Sequence, residues 1–104
     1  MNICIFGDSI TWGAFLPFRE AWSNLLRNSL ENKYDTVAVY DLGIDANTTE
    51  DLVARFPSEA KARKPEIIIF AIGVNDSAFR KTPDYPIIPP DEFKKNLGAL
   101  YILA

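Results

Sequence analysis

The spacing of apolar residues along the chain predicts three strands and three helices. Short continuous apolar runs, typical of buried strands, occupy residues 2–6, 36–42 and 66–72. Apolar residues at helical spacing follow each strand, over residues 18–33, 49–64 and 91–104. Strands that alternate with helices indicate right-handed crossovers, so the sequence predicts a parallel sheet with helices on both faces, in a single α/β domain.

Turn-forming and capping residues set the expected boundaries of these elements. Thr48 or Thr49 is expected to cap the second helix, and Pro57 to break or restart it. The stretch 77–90 holds four of the seven prolines, which predicts a long irregular loop. The side chains expected to share the apolar faces are Phe18, Trp22, Leu25, Leu26 and Leu30 in the first helix, and Leu52, Val53 and Phe56 in the second.

The C-terminal stretch "LGALYILA" is still apolar and has no C-cap glycine. The most hydrophobic strand, 66–72, is followed by a helix but by no fourth strand. The chain is therefore expected to be the first half of a longer α/β domain, and to self-associate as a homo-oligomer through the exposed edge of that strand.

Composition narrows the function classes. The chain has 14 acidic and 11 basic residues among 104, and its net charge of −3 argues against nucleic acid or an anionic membrane as a partner. One cysteine, Cys4, excludes an internal disulfide and is expected to be a small core residue. Without an apolar stretch of about 20 residues or a leader pattern, the protein is expected to be cytoplasmic. The chain contains no histidine.

Each predicted strand ends in a glycine-containing turn with polar residues. The turns are Gly7-Asp8-Ser9, Asp41-Leu42-Gly43 and Gly73-Val74-Asn75-Asp76. Ligands bind at the carboxyl ends of parallel strands, so these turns are expected to meet at one edge of the sheet. A serine hydroxyl beside backbone N–H groups and an amide NH₂ is the arrangement used for acyl transfer.

Three segments carry a resemblance to a known family. "FGDSITWG", "DLGIDANTT" and "IGVND" resemble the first three sequence blocks of the SGNH, or GDSL, hydrolases. The resemblance implies a flavodoxin-like three-layer α/β/α sandwich with Ser9 as nucleophile. It also implies an oxyanion hole formed by the N–H groups of Ser9 and Gly43 with the Asn75 side chain. The implied substrate is a small carboxylic ester, such as a sugar acetyl ester, an aryl ester, a lysophospholipid or a thioester, and no cofactor is implied.

The chain departs from this family in one respect. The fourth block, Asp-x-x-His, has no counterpart, and a serine without a base is a poor nucleophile. Lys81 or Asp84 in the long loop are the nearest substitutes for the base. The sequence therefore predicts an ester hydrolase domain whose 104 residues alone are nearly inactive.

Other interpretations of the same residues remain open at this point. Ser9 could simply cap a helix, and Asp8 could hydrogen-bond within its own turn or contact substrate. The charged residues of the helices are expected to be solvated. The two further groupings are an acyl pocket from Trp12, Phe15, Leu16 and Phe79, and a less favoured magnesium site from Asp41, Asp45 and Asp76. The competing class is a non-catalytic flavodoxin-like module for a small ligand or phosphate, although no glycine-rich phosphate loop is present.

Overall fold

The computed structural model describes residues 1–17, 20–79 and 85–104. The expectations for Phe18, Lys81 and Asp84 lie outside these described residues. The strands are β1 (Asn2–Gly7), β2 (Ala38–Gly43) and β3 (Ile67–Ala71). The helices are α1 (Ser9–Trp12), α2 (Trp22–Lys33), α3 (Thr49–Arg63), α4 (Val74–Ser77) and α5 (Pro90–Leu103). The single-turn helices α1 and α4, each directly after a strand or its glycine turn, were not predicted.

The three strands form one parallel sheet, which confirms that prediction, and they lie in the order β2-β1-β3. In the register of the sheet, Gly7 lies opposite Gly43 on one side and Ala71 on the other. The carboxyl ends of all three strands are therefore aligned, which brings the turns that follow them to one edge.

Alternating residues of β1 face the two sides of the sheet and create two cores. On one side Cys4 and Phe6 pack with Leu52 and Phe56 of α3 and with α5. The Phe6 and Phe56 rings meet edge to face with centroids 5.0 Å apart. The predicted inward face of α3 and the core position of Cys4 are confirmed, and burial raises the pKa of the Cys4 thiol.

On the other side of the sheet, α2 packs on β1 and β2, but not with the whole predicted face. Leu26 and Leu30 contact the core, whereas Trp22 and Leu25 are 38% and 58% exposed. The expectation for these two side chains was therefore wrong. The first turn of α2 instead buries Ser23. The single hydrogen of its hydroxyl is shared between the Thr11 carbonyl oxygen and Asp41 Oδ2, at 2.7 and 2.6 Å, which orients the start of the helix.

Helix α3 runs through Pro57 without interruption, so the expected break is wrong. Pro57 is exposed, and it removes one backbone N–H donor that would have bonded to Val53. Leu52 and Phe56 are buried in the same core and hold the helix in place across this defect. At its start, Thr48 and Asp51 form a reciprocal capping box, as expected for Thr48.

Within the described residues, β3 pairs with β1 alone, and its other edge has no partner strand. The end of α5 is also open to solvent, with Tyr101 and Ile102 more than four-fifths exposed. None of the helices in the described part of the chain is long and apolar enough to span a bilayer.

Candidate active site

Ser9 follows β1 directly and is the first residue of α1. An N–H at the first position of a helix has no intrahelical acceptor, so that of Ser9 is left for another partner. The side chain is partly exposed, and its hydroxyl makes no hydrogen bond to any residue that the structure describes. With respect to the described residues, Ser9 thus presents a free hydroxyl and a free N–H at the carboxyl edge of the sheet.

Asp8 holds this turn in place. Its Oδ1 accepts a hydrogen bond of 2.9 Å from the N–H of Ile10 and caps α1. The predicted bond within its own turn is confirmed. Asp8 is 2% exposed and lines a cavity of 180 Å³ together with Ile10 and Trp22, and its predicted contact with substrate stays a prediction.

Asn75 lies in the turn after β3, on α4. Its Nδ2 donates a 3.0 Å hydrogen bond to the backbone oxygen of Asn47, in the turn after β2. A side-chain amide carries two hydrogens, so one anchors Asn75 and the other remains for a ligand. The N-cap of α4 is Gly73, whose φ of 135° is strained for any residue with a side chain.

The N–H of Gly43 has a partner that the sequence did not reveal. Its N–H donates to Asp41 Oδ1 at 2.9 Å and so is already occupied. A Cβ on Gly43 would lie 2.5 Å from the backbone nitrogen of Trp12 and 2.8 Å from the Asp8 carbonyl oxygen. The glycine is therefore needed for the close approach of the β2 turn to α1, and its N–H does not point freely into the site.

The next turn, residues 44–47, supplies an alternative that the sequence did not reveal. Its closing bond runs from the N–H of Asn47 to the carbonyl of Ile44, at 3.2 Å. Ala46 adopts φ = 62°, a left-handed conformation usually occupied by glycine. Among the described residues, no acceptor takes the N–H of Asp45 or Ala46, and both residues are exposed. These two N–H groups are available at the edge of the sheet.

Arg55 of α3 is the organising residue that the sequence analysis missed. Its guanidinium donates to the carbonyls of Gly7 and Leu42 at 3.1 and 2.8 Å, and to Asn47 Oδ1 at 2.8 Å. It also pairs with Glu59 at 2.7 Å, and its side chain is only 15% exposed. The expectation that helix charges are solvated is therefore wrong for Arg55. Its spacing beside the apolar Leu52 and Phe56 was the available signal.

The three aspartates considered as a magnesium site have separate surroundings. Asp41 accepts from the Ser23 hydroxyl as well as from Gly43, and the buried Asp76 accepts from Thr49. Asp45 is exposed. In the part of the chain that the structure describes, no group of three acidic or cysteine side chains is arranged to hold a metal ion.

The predicted acyl-pocket residues divide between two cavities. One of 360 Å³ is lined by Trp12, Phe15 and Leu16, with Asn24 and Asp41 as polar neighbours. Another, of 440 Å³ and almost wholly apolar, is lined by Gly73, Phe79, Ile88 and Phe93 among others. The first follows the Ser9 helix and the second follows the Asn75 turn, so the four residues do not form one pocket.

Comparisons with known proteins show which family the chain resembles. Residues 5–101 match the model of the GDSL-like Lipase/Acylhydrolase family. The chain is 30% identical to the uncharacterized lipoprotein YqeF of Bacillus subtilis, a match that covers 92% of the chain and 40% of that protein. It is 28% identical to an arylesterase of Vibrio mimicus, over 72% of the chain and 38% of that protein.

The fold has counterparts among solved structures. The crystal structure of TesA superposes with a TM-score of 0.81 at 22% identity, covering 96% of the chain and 52% of TesA. This likeness confirms the predicted α/β fold. The chain spans about two fifths of the length of the curated relatives it matches. Since the family model covers nearly all of its residues, the chain belongs to the GDSL-like Lipase/Acylhydrolase family.

Proposed function

We propose that this domain is the nucleophile-bearing part of a carboxylic ester hydrolase, with Ser9 as the attacking residue. The observation that carries the proposal is the placement of the free Ser9 hydroxyl. It stands at the same sheet edge as the Asn75 amide, which has one hydrogen unused. Family membership supports the same class of reaction.

The proposed reaction has two steps. Ser9 Oγ attacks the ester carbonyl carbon while its proton passes to a base, and the carbonyl oxygen becomes an oxyanion. The free Asn75 Nδ2–H and the Ser9 N–H donate to that oxyanion. Its collapse breaks the ester C–O bond, and the leaving oxygen takes the proton back from the base and departs as the alcohol. Water then attacks the acyl-serine, releases the carboxylic acid and returns a proton to Ser9.

For the second backbone donor, the proposal departs from the role that the family resemblance implies for Gly43. Donation from Gly43 to a substrate requires Asp41 to release its N–H. The N–H groups of Asp45 and Ala46 need no such release, and their turn is tied to Asn75 through the Asn47 carbonyl. We therefore assign the second donor to the 45–46 peptide groups and a packing role to Gly43.

The chain has no histidine to accept the Ser9 proton. We propose that its 104 residues hydrolyse esters only slowly unless an external base is present. Removal of a triad base in serine hydrolases leaves about 10³- to 10⁴-fold acceleration over water, which comes from the oxyanion hole and from binding.

For the substrate we propose a small ester with an aryl or short acyl group. The cavity of 360 Å³ beside Trp12 and the cavity of 440 Å³ beside Gly73 have room for small acyl or aryl groups. A relative of this chain is named an arylesterase, which supports the aryl alternative.

We propose the cytoplasm as the site of action, because the lone Cys4 thiol is buried and unpaired. A relative is named a lipoprotein, so cell fractionation with an antibody against residues 1–104 provides the test. Recovery in the membrane fraction would contradict this location.

Hydrolysis of p-nitrophenyl acetate in the presence of imidazole tests the proposed chemistry. Imidazole supplies a base, and the rate above the buffer background should be lost in Ser9→Ala. Asn75→Ala should reduce the same rate by about 10²- to 10³-fold, the usual cost of an oxyanion donor. Equal rates for the parent chain and Ser9→Ala would rule out the nucleophile. Calorimetric binding of inorganic phosphate that survives Ser9→Ala would instead support a non-catalytic anion-binding module.

A further inference from the structure

A buried network of hydrogen bonds connects the Asn75 turn to two helices. Asp76, 2% exposed, accepts hydrogen bonds of 3.1 Å at both carboxylate oxygens from the N–H of Thr49, the first residue of α3. The Thr49 hydroxyl also donates to Asp76, and it accepts from Asn96 Nδ2 of α5 at 3.0 Å. Because an amide NH₂ only donates, the bonds run in one direction, from Asn96 through Thr49 to Asp76.

Burying this hydrogen-bonded network costs more free energy than a purely packing role requires. A carboxylate held away from water is unfavourable unless its oxygens are satisfied, and an apolar side chain would fill the same space without that requirement. Here the oxygens are satisfied by a helix N-terminus, which favours negative charge. The network therefore joins α3, α4 and α5 at Asp76.

This network lies next to the proposed oxyanion donor. Asn75 and Asp76 are adjacent, and both bond to one short stretch of chain: Asn75 to the Asn47 carbonyl and Asp76 to Thr49. The backbone oxygen of Asp76 is held as well, by the N–H of Ile88 at 3.0 Å. Because these bonds hold Asp76 in place, the neighbouring Asn75 amide can donate one hydrogen to the Asn47 carbonyl and keep the other for the oxyanion.

We propose that Asp76 is a positioning residue for the Asn75 donor, acting through Thr49 with support from Asn96. The proposal rests on the proposed function for its catalytic meaning, but the structural effect on Asn75 can be measured without catalysis.

The direct test follows the side-chain amide of Asn75 by ¹⁵N NMR in Asp76→Asn. An asparagine retains one acceptor oxygen for Thr49 but replaces the other with an NH₂, which cannot accept from the Thr49 N–H or hydroxyl. Solvent exchange of the Asn75 NH₂ should accelerate by about tenfold or more, the factor that corresponds to one charge-assisted hydrogen bond. The signal is assigned by its disappearance in Asn75→Ala.

The chain provides its own control for general loosening. Asn2 Nδ2 donates to the Arg63 carbonyl at 2.7 Å, at the opposite end of the sheet, and should be unchanged in the same spectrum. Asp91→Asn removes an exposed carboxylate from the first turn of α5 and should affect neither amide. Equal acceleration at Asn2 and Asn75, or none at Asn75, would overturn the proposal.

Two further variants keep the test decisive if Asp76→Asn does not fold. Thr49→Val retains the backbone bond to Asp76 but removes the hydroxyl link, and Thr49→Ser restores it. Exchange at Asn75 should rise in the valine variant and return toward the parent value in the serine variant. No difference between the two would also contradict the proposal.

The catalytic consequence is tested separately with the imidazole-supported acylation of Ser9. Asp76→Asn should lower kcat by about tenfold with little change in KM, and should have little additional effect in an Asn75→Ala background. Additive losses would contradict action through Asn75. If the parent chain shows no acylation at all while the NMR result holds, the proposed function fails and the positioning role stands.

Discussion

Replacing Arg55 with methionine tests how the site is held together. Methionine fills a similar volume but removes the guanidinium donor from three oxygen atoms: the carbonyls of Gly7 and Leu42, and the Asn47 side chain. The Gly7 carbonyl retains its bond from the N–H of Ile44. Hydrogen bonds to a charged group contribute about 1.5–3 kcal/mol each. Water can reach a side chain that is 15% exposed and replace part of this, so we expect a loss of about 3 kcal/mol rather than the full sum.

The matched control is Arg27, which forms the same i,i+4 pair with a glutamate but has a side chain 52% exposed. Arg27→Met should cost less than about 1 kcal/mol, as is usual for exposed pairs. Arg55→Lys, which retains the charge but not the forked donors, should fall between the two. The assay is urea unfolding followed by tryptophan fluorescence. Equal losses for Arg55→Met and Arg27→Met would refute the bridging role of Arg55.

Three further outcomes are expected. Ala46→Gly should stabilise the chain by about 0.5–1 kcal/mol in urea unfolding, because glycine relieves the strain of the left-handed backbone conformation. The control Ala54→Gly, on the exposed side of α3, should destabilise the chain by a similar amount. Changes of the same sign in both variants would contradict this expectation. The N–H of Val39 and the Arg27 side chain lower the pKa of Glu31, so its stabilisation should be present above its unfolded-state pKa and disappear as the pH falls through its folded-state pKa. Unfolding free energies of Glu31→Gln should lack that acid-side loss, and identical pH profiles would show that the pair is irrelevant. The open edge of Ile67–Ala71 should cause concentration-dependent self-association in sedimentation experiments, reduced by the substitution Ile67→Lys at an exposed position of this strand. A monomer at high concentration would exclude it.

The parallel sheet could be predicted because its determinants are local and repeated. Each apolar run stops at a turn, and the order of strands and helices leaves few topologies. The placement of Ser9 and Asn75 at one edge of the sheet could be predicted for the same reason, because each follows directly after a strand or its glycine turn. The short helices α1 and α4 were missed because a single turn carries no periodic signal.

What could not be predicted depends on contacts between distant segments. Gly43 was expected to donate its N–H to the oxyanion. The Asp41 carboxylate, which accepts from that N–H, would compete with the oxyanion for it, and the sequence does not reveal this contact. Arg55 resembles any charged helix residue until the carbonyl of Gly7, 48 positions away, is placed beside it. Pro57 was expected to break α3 on propensity alone, yet the buried Phe56 beside it overrides that propensity.

The most direct test of the central claim is to locate the adduct formed by a fluorophosphonate probe in the presence of imidazole. Intact-mass and peptide mass spectrometry identify the modified residue. We predict a single adduct on Ser9, formed slowly without imidazole, faster with it, and much more slowly in Asn75→Ala. Labelling of another residue, or labelling that is unchanged in Ser9→Ala, would contradict the assignment of Ser9 as the nucleophile.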